Sequence, residues 1–120
     1  MELAEPPEGA LGFCVAATLK RVLNRKALRE ADPLYSIMMD VARETGMTVV
    51  GSQKHQFDPE GASVCLLLSE SHFACHTWPE YAMASVHVYT CSEPGKALSA
   101  LKAFSKRMNS NIIKMVEFNH

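Results

Sequence analysis

The sequence predicts an α+β fold, a two-layer α/β sandwich with two helices on one face of a mainly antiparallel sheet. Two segments carry apolar stripes at helical spacing, and several others are short runs rich in β-branched and aromatic residues. The elements read β-α-β-β and then β-β-α-β, a β-α-β-β set of elements repeated. A chain of 120 residues with 48% hydrophobic content suits one domain, 1–120, able to bury a core without disulfide staples.

Each element has its own signal. Pro6, Pro7 and Gly9 mark residues 1–10 as a loose end. Leu11 to Leu19 reads as the first strand. Residues 20–30 hold five of the twelve basic residues, expected as a solvated connection or short helix. Asp32 is placed to cap the first long helix, and Pro33 fits its first position, where a missing N–H costs nothing. Leu34, Ile37, Met38, Val41 and Ala42 form its apolar stripe, and Gly46 stops it. Met47–Val50 and Ser63–Leu68 look like the strands of a hairpin, with Pro59 and Gly61 in the connection. Ser71–Trp78 and Ala84–Thr90 read as two more strands. Ala97, Leu101, Phe104 and Met108 mark a second helix with Ser92 as its cap, and Asn111–Phe118 a last strand.

Composition excludes several function classes. Twelve basic and thirteen acidic residues leave a net charge of −1, unlike a basic nucleic-acid binder. The longest apolar run, around Val64–Leu68, is too short to span a membrane. Acids stand near the N-terminus where a secretory signal would carry Lys or Arg, so a cytoplasmic location is expected. Cys14, Cys65, Cys75 and Cys91 are accordingly expected as thiols, with Cys14, Cys65 and Cys75 acting as small buried hydrophobes.

The chemistry concentrates between Leu68 and Cys91. This stretch holds three of five histidines, two cysteines and the single tryptophan. Zinc ligation by His72, Cys75, His76 and Cys91 suits the residue types. The spacing argues against it, because Cys75 points away from the face that His72 and His76 share. A thiol–imidazole pair of Cys91 or Cys75 with His76 is chemically open.

Glu70-Ser71-His72, His76-Thr77-Trp78-Pro79-Glu80-Tyr81 and Thr90-Cys91 together resemble the bacterial and archaeal class of pyruvoyl-dependent S-adenosylmethionine decarboxylases. His55, Phe57, Pro59, Gly61 and Ser63 fit the same pattern upstream. The resemblance implies a lyase, formed as a zymogen, that serves polyamine (spermidine) biosynthesis and works as a homodimer or larger homo-oligomer on a small-molecule substrate. It implies no metal, no nucleic acid and no membrane partner. Amino-acid decarboxylation needs an electron sink. No Gly-rich phosphate cradle for another cofactor is present.

In this family the sink is a covalent pyruvoyl group made from the chain itself. The resemblance implies cleavage between Glu70 and Ser71 into a β chain, 1–70, and an α chain, 71–120, with Ser71 becoming the pyruvoyl that forms a Schiff base with substrate. It gives His76 the processing role, Ser63 a supporting one, and Cys91 the proton returned to the substrate. Phe57 and Trp78 would stack on adenine, and Glu80 would accept hydrogen bonds from the ribose.

The chain departs from the family pattern at Gly12-Phe13-Cys14, Ala82-Met83, His87 and Ser92. His87 replaces an acid, which leaves decarboxylation of a basic amino acid, arginine or ornithine, as the alternative reading. A non-catalytic regulatory homologue is the third. Strict alternation puts Ser71 and His76 on opposite faces of one strand, so a bulge or bend beside the cleavage site is expected to bring them together. His87, Tyr89 and Cys91 are expected to share a face.

Overall fold

Six strands form one sheet in the order β2-β3-β4-β5-β1-β6, each antiparallel to its neighbours. They are β1 (Phe13–Lys20), β2 (Val49–Gln56), β3 (Ala62–Leu68), β4 (Ser71–Trp78), β5 (Met83–Thr90) and β6 (Asn111–Asn119). The helices are α1 (Arg25–Arg29), α2 (Ala31–Glu44) and α3 (Pro94–Arg107). The structure, a computed structural model, describes residues 2–5, 8–91 and 94–120. The sequence-predicted cap Ser92 and the prolines of the loose end lie outside the described residues.

Alternation along the central strands divides the sheet into two unlike faces. Phe13, Val15, Ala17 and Leu19 of β1 are buried, as are Ala62, Val64, Leu66 and Leu68 of β3. Phe73 and Cys75 of β4 and Ala84, Val86 and Val88 of β5 continue this layer. Leu34, Met38 and Val41 of α2, with Ala97, Leu101 and Phe104 of α3, cover it in one continuous core. Phe73 meets Phe104 edge to face, with ring centroids 5.3 Å apart. Such a pair adds about 0.5–1.5 kcal/mol beyond the area it buries. Among the described residues, no helix lies over the opposite face, which carries Ser63, Cys65, Leu67, His72, His76, Trp78 and His87.

The boundaries depart from the sequence reading in instructive ways. The basic stretch forms the short helix α1, whose Ala27 and Leu28 are buried. Asp32 does not cap α2: the helix begins at Ala31 after Glu30, with no side-chain cap. Asp32 instead pairs with Lys54 at 2.9 Å, while Ala31 N–H donates to Gln56 Oε1 at 2.6 Å. Gly46 follows the helix at φ +73, as expected of the stop residue.

Strand β2 runs six residues past the expected Val50. As the edge strand it is exposed on both faces beyond Gly51, so the hydrophobic alternation that reveals a half-buried strand is missing. Cys65 is exposed on the uncovered face, contrary to the expectation that it is buried. Cys14 and Cys75 are buried as expected, and burial pushes both thiols up from the ordinary value.

Candidate active site

Strands β3 and β4 are joined by the two-residue turn Ser69-Glu70, with Leu68 opposite Ser71. Glu70 sits in the left-handed region at φ +61. For a residue with a Cβ this costs on the order of 1–2 kcal/mol, which the surrounding ladders must hold in place. The turn therefore stores backbone strain on the residue whose carbonyl begins the Glu70–Ser71 bond.

The end of β5 runs beside this turn. The Cys91 backbone N–H donates to Ser71 Oγ at 3.3 Å, and the Cys91 thiol donates to the Glu70 carbonyl oxygen. One bond thus has a hydroxyl on its nitrogen side and a polarising thiol on its carbonyl. Ser71 borders two cavities. One, of about 230 Å³, reaches toward Met47, Thr48 and Lys96. The other, of about 550 Å³, opens past Leu67, His72 and Tyr89.

The remaining predicted residues gather elsewhere. Ser63 Oγ and His76 Nδ1 lie 2.7 Å apart across the β3–β4 ladder, where the two residues are register partners. With Nδ1–H donating to Ser63 Oγ, the His76 Nε2 lone pair is free to act as a base. Both residues line a cleft of about 430 Å³ with Phe57, Trp78 and Glu80. Trp78 ends β4, and Glu80 lies in the 3₁₀ turn Pro79–Tyr81 that follows. Phe57 and Trp78 are each nearly half exposed, so their ring surfaces are open to a ligand.

These two groups occupy opposite ends of the same strands. Strand β4 pairs with β3 and β5 without a register shift, so the expected bulge near Ser71 is absent. The strand stays straight because both ladders are continuous; the sheet's bulges fall instead at β1–β6 and β2–β3. Five residue steps at about 3.3 Å each separate Ser71 from His76, on the order of 16 Å. Within one chain, His76 does not reach Ser71.

Two supporting residues escaped the sequence reading. Thr77, buried under the cleft, donates from Oγ1 to the Leu28 carbonyl at 2.7 Å and accepts from Ala62 N–H at 2.9 Å. It ties α1 and β3 to the strand that carries His76 and Trp78. Gln56 donates from Nε2 to the carbonyls of Arg29, Phe57 and Gly61. It holds the Phe57–Gly61 loop against the start of α2, and an Arg29–Glu60 ion pair at 3.2 Å adds a surface tie. The only sequence signal for Thr77 is its place in the HTWPEY run; Gln56, inside a polar stretch, has none.

Residues 15–120 match the S-adenosylmethionine decarboxylase family. The chain is 38% identical over 94 residues to the S-adenosylmethionine decarboxylase proenzyme of Thermosipho melanesiensis, covering 76% of this chain and 72% of that one. It is 36% identical over 99 residues to the proenzyme of Aquifex aeolicus, covering 82% and 73%. The crystal structure of the adenosylmethionine decarboxylase from Aquifex aeolicus superposes with a TM-score of 0.81 at 28% identity, over 93% of this chain and 90% of that one. Sequence, fold and the residues around the Glu70–Ser71 turn converge: the chain belongs to the S-adenosylmethionine decarboxylase family.

Proposed function

We propose that the chain is a self-processing, pyruvoyl-dependent decarboxylase of S-adenosylmethionine, producing the decarboxylated aminopropyl donor used in spermidine synthesis. The observation that carries the reading is the convergence of the Ser71 hydroxyl and the Cys91 thiol on the strained Glu70–Ser71 bond. Ser71 Oγ attacks the Glu70 carbonyl carbon while the thiol supports the oxygen, and the amide becomes an ester. A base then removes the Ser71 Cα proton. The ester breaks, with residues 1–70 leaving as a carboxylate, and residue 71 becomes dehydroalanine. Water hydrolyses it and releases ammonia, leaving a ketone at the head of residues 71–120.

A turn that exposes residue 71 between two cavities suits such a group. When formed, the pyruvoyl supplies the electron sink for the pair released with CO₂. Cys91 then returns a proton to the substrate Cα, a task suited to an S–H donor beside the reacting group. Phe57 and Trp78 stack the adenine, and the Glu80 carboxylate accepts from the ribose hydroxyls. Trp78→Ala is expected to raise KM for S-adenosylmethionine roughly 10- to 100-fold, from about 1–3 kcal/mol of lost stacking, while chain cleavage proceeds. Steady-state kinetics on cleaved protein measures it.

The straight strand β4 supports a homodimer as the working unit. Leu67, Trp78, Val116 and Phe118 leave an apolar surface 44–56% exposed on the uncovered face, an area that a second copy would cover. A two-fold axis between two facing sheets, perpendicular to the strands, reverses strand direction from one copy to the other. The Ser71–Cys91 end of one chain then meets the Ser63–His76 end of its partner. The base is His76 of the second copy, and each dimer holds two complete sites.

Glu70→Gly offers a direct check on the turn. Glycine adopts a positive φ without penalty, so stored strain is lost and self-cleavage is expected to slow by roughly tenfold, about 1–2 kcal/mol. Time-resolved electrophoresis of freshly made protein reads the rate. The whole reading is tested by mass spectrometry and CO₂ release. The α chain should begin at residue 71 and weigh one ammonia less than its serine form. CO₂ should come from S-adenosylmethionine and not from arginine, ornithine or lysine. An intact chain without a reactive carbonyl would refute the assignment and favour a regulatory homologue; release from a basic amino acid would move the substrate assignment there.

A further inference from the structure

We propose that Tyr89 is a positioning residue for Cys91, its hydroxyl held to donate to the sulfur and to stabilise the charge left there when the thiol gives up its proton. This rests on the reading of Cys91 as proton donor. Tyr89 lies on β5 two residues before Cys91, and its hydroxyl fills the space beside Gly12, which lines one cleft together with Cys91.

Three elements hold the ring. His72, its register partner on β4, stacks on it with centroids 5.6 Å apart and planes at 22°. His120, beyond β6, meets it edge-on at 6.5 Å. Gly12, ahead of β1, leaves the space it occupies. A Cβ at position 12 would stand 2.3 Å from Tyr89 Oη, 2.4 Å from Cζ and 2.7 Å from the Thr90 carbonyl oxygen. Only glycine allows the ring to lie there. Gly12 is itself fixed by reciprocal backbone hydrogen bonds with His120, each 2.9 Å. The hydroxyl is thus mounted in a slot walled partly by backbone, and Tyr89 lines the same cavity as Ser71.

The proton balance gives this mounting a purpose. The Cys91 S–H bond breaks, a C–H bond forms at the substrate Cα with the pair left by CO₂, and sulfur keeps its electrons until water reprotonates it. A donor already aimed at the sulfur stabilises that charge without reorganising. Tyr89 must stay protonated to donate. Burial, the neighbouring Cys91 side chain and the charge of Cys14 all push its hydroxyl above the ordinary tyrosine value. The titratable groups facing the pair are Cys14 on β1, His72 on β4 and His120 beyond β6.

The test is the pH profile of Cys91 alkylation by iodoacetamide, followed on the Cys91 peptide by mass spectrometry in the full-length protein. Tyr89→Phe keeps the ring and removes the donor. Its profile is expected to move up by about one pH unit, so alkylation at a fixed lower pH slows about tenfold. Gly12→Ala, which displaces the ring, should reproduce the shift. In Tyr89→Phe, kcat should fall while KM for S-adenosylmethionine holds. An unchanged Cys91 profile overturns the proposal, and so does a shift that comes with loss of the cooperative thermal transition. The alkylation readout needs no turnover, so it can succeed where decarboxylation fails and fail where decarboxylation succeeds.

Discussion

Ser71→Ala is expected to leave every chain intact and to abolish decarboxylation. The side chain supplies the only atom that turns the Glu70–Ser71 amide into an ester, and a peptide bond does not eliminate in its place. The strain at Glu70 (φ +61) and the thiol on its carbonyl remain in the variant. They lower the barrier to attack but provide no attacker. The loss should therefore be complete. Electrophoresis would show one band at the full-length position, and carbonyl reagents would label nothing. Ser71→Cys keeps a nucleophile able to form a thioester and should recover part of the cleavage. Cleavage in Ser71→Ala would mean that another group opens this bond.

Mixed dimers carry the second large effect. His76→Ala alone and Ser71→Ala alone should each stay uncleaved. Chains co-produced in equal amounts and distinguished by a tag should behave differently, because a mixed dimer holds one site with both groups. Only the His76→Ala chains should be cut, up to about half of them, the share that random pairing places in mixed dimers. The Ser71→Ala chains should survive whole. If His76 served its own chain, no chain in the mixture would be cut. The prediction follows from a strand too straight to fold back: β4 keeps register with β3 from Ser71 to His76 and with β5 from His72 to Trp78.

Much of the architecture was legible because burial imposes period on sequence. Strands β1, β3, β4 and β5 sit inside the sheet under two helices, and their alternation is written in Val, Ala, Leu and Phe. The sequence predicts the edge strand β2 only as far as Val50, because solvent on both sides leaves Lys54, His55 and Gln56 no pattern to obey. Asp32 looked like a cap because cap chemistry is local. It lost to a contact between elements, since Gln56 reaches the start of α2 from β2 and satisfies Ala31 N–H. Cys65 looked like a core residue because apolar composition does not say which face of a strand is covered.

The site divides along the same line. The residue types around Glu70–Ser71, the HTWPEY run and Cys91 were readable from the chain because their chemistry is specific to the residue. Their grouping was not. Thr77 and Gln56 act through hydrogen bonds to backbone brought from other elements, which no local pattern records.

The sequence by itself determined the layers, the hydroxyl beside the bond proposed to break, and the aromatic and thiol residues on which the resemblance to the family rests. Tertiary structure alone decided that Ser71 and Cys91 share one end of the sheet while Ser63 and His76 share the other. Strand pairing joins residues far apart in the chain, and a regular ladder keeps residues only five apart at a fixed distance.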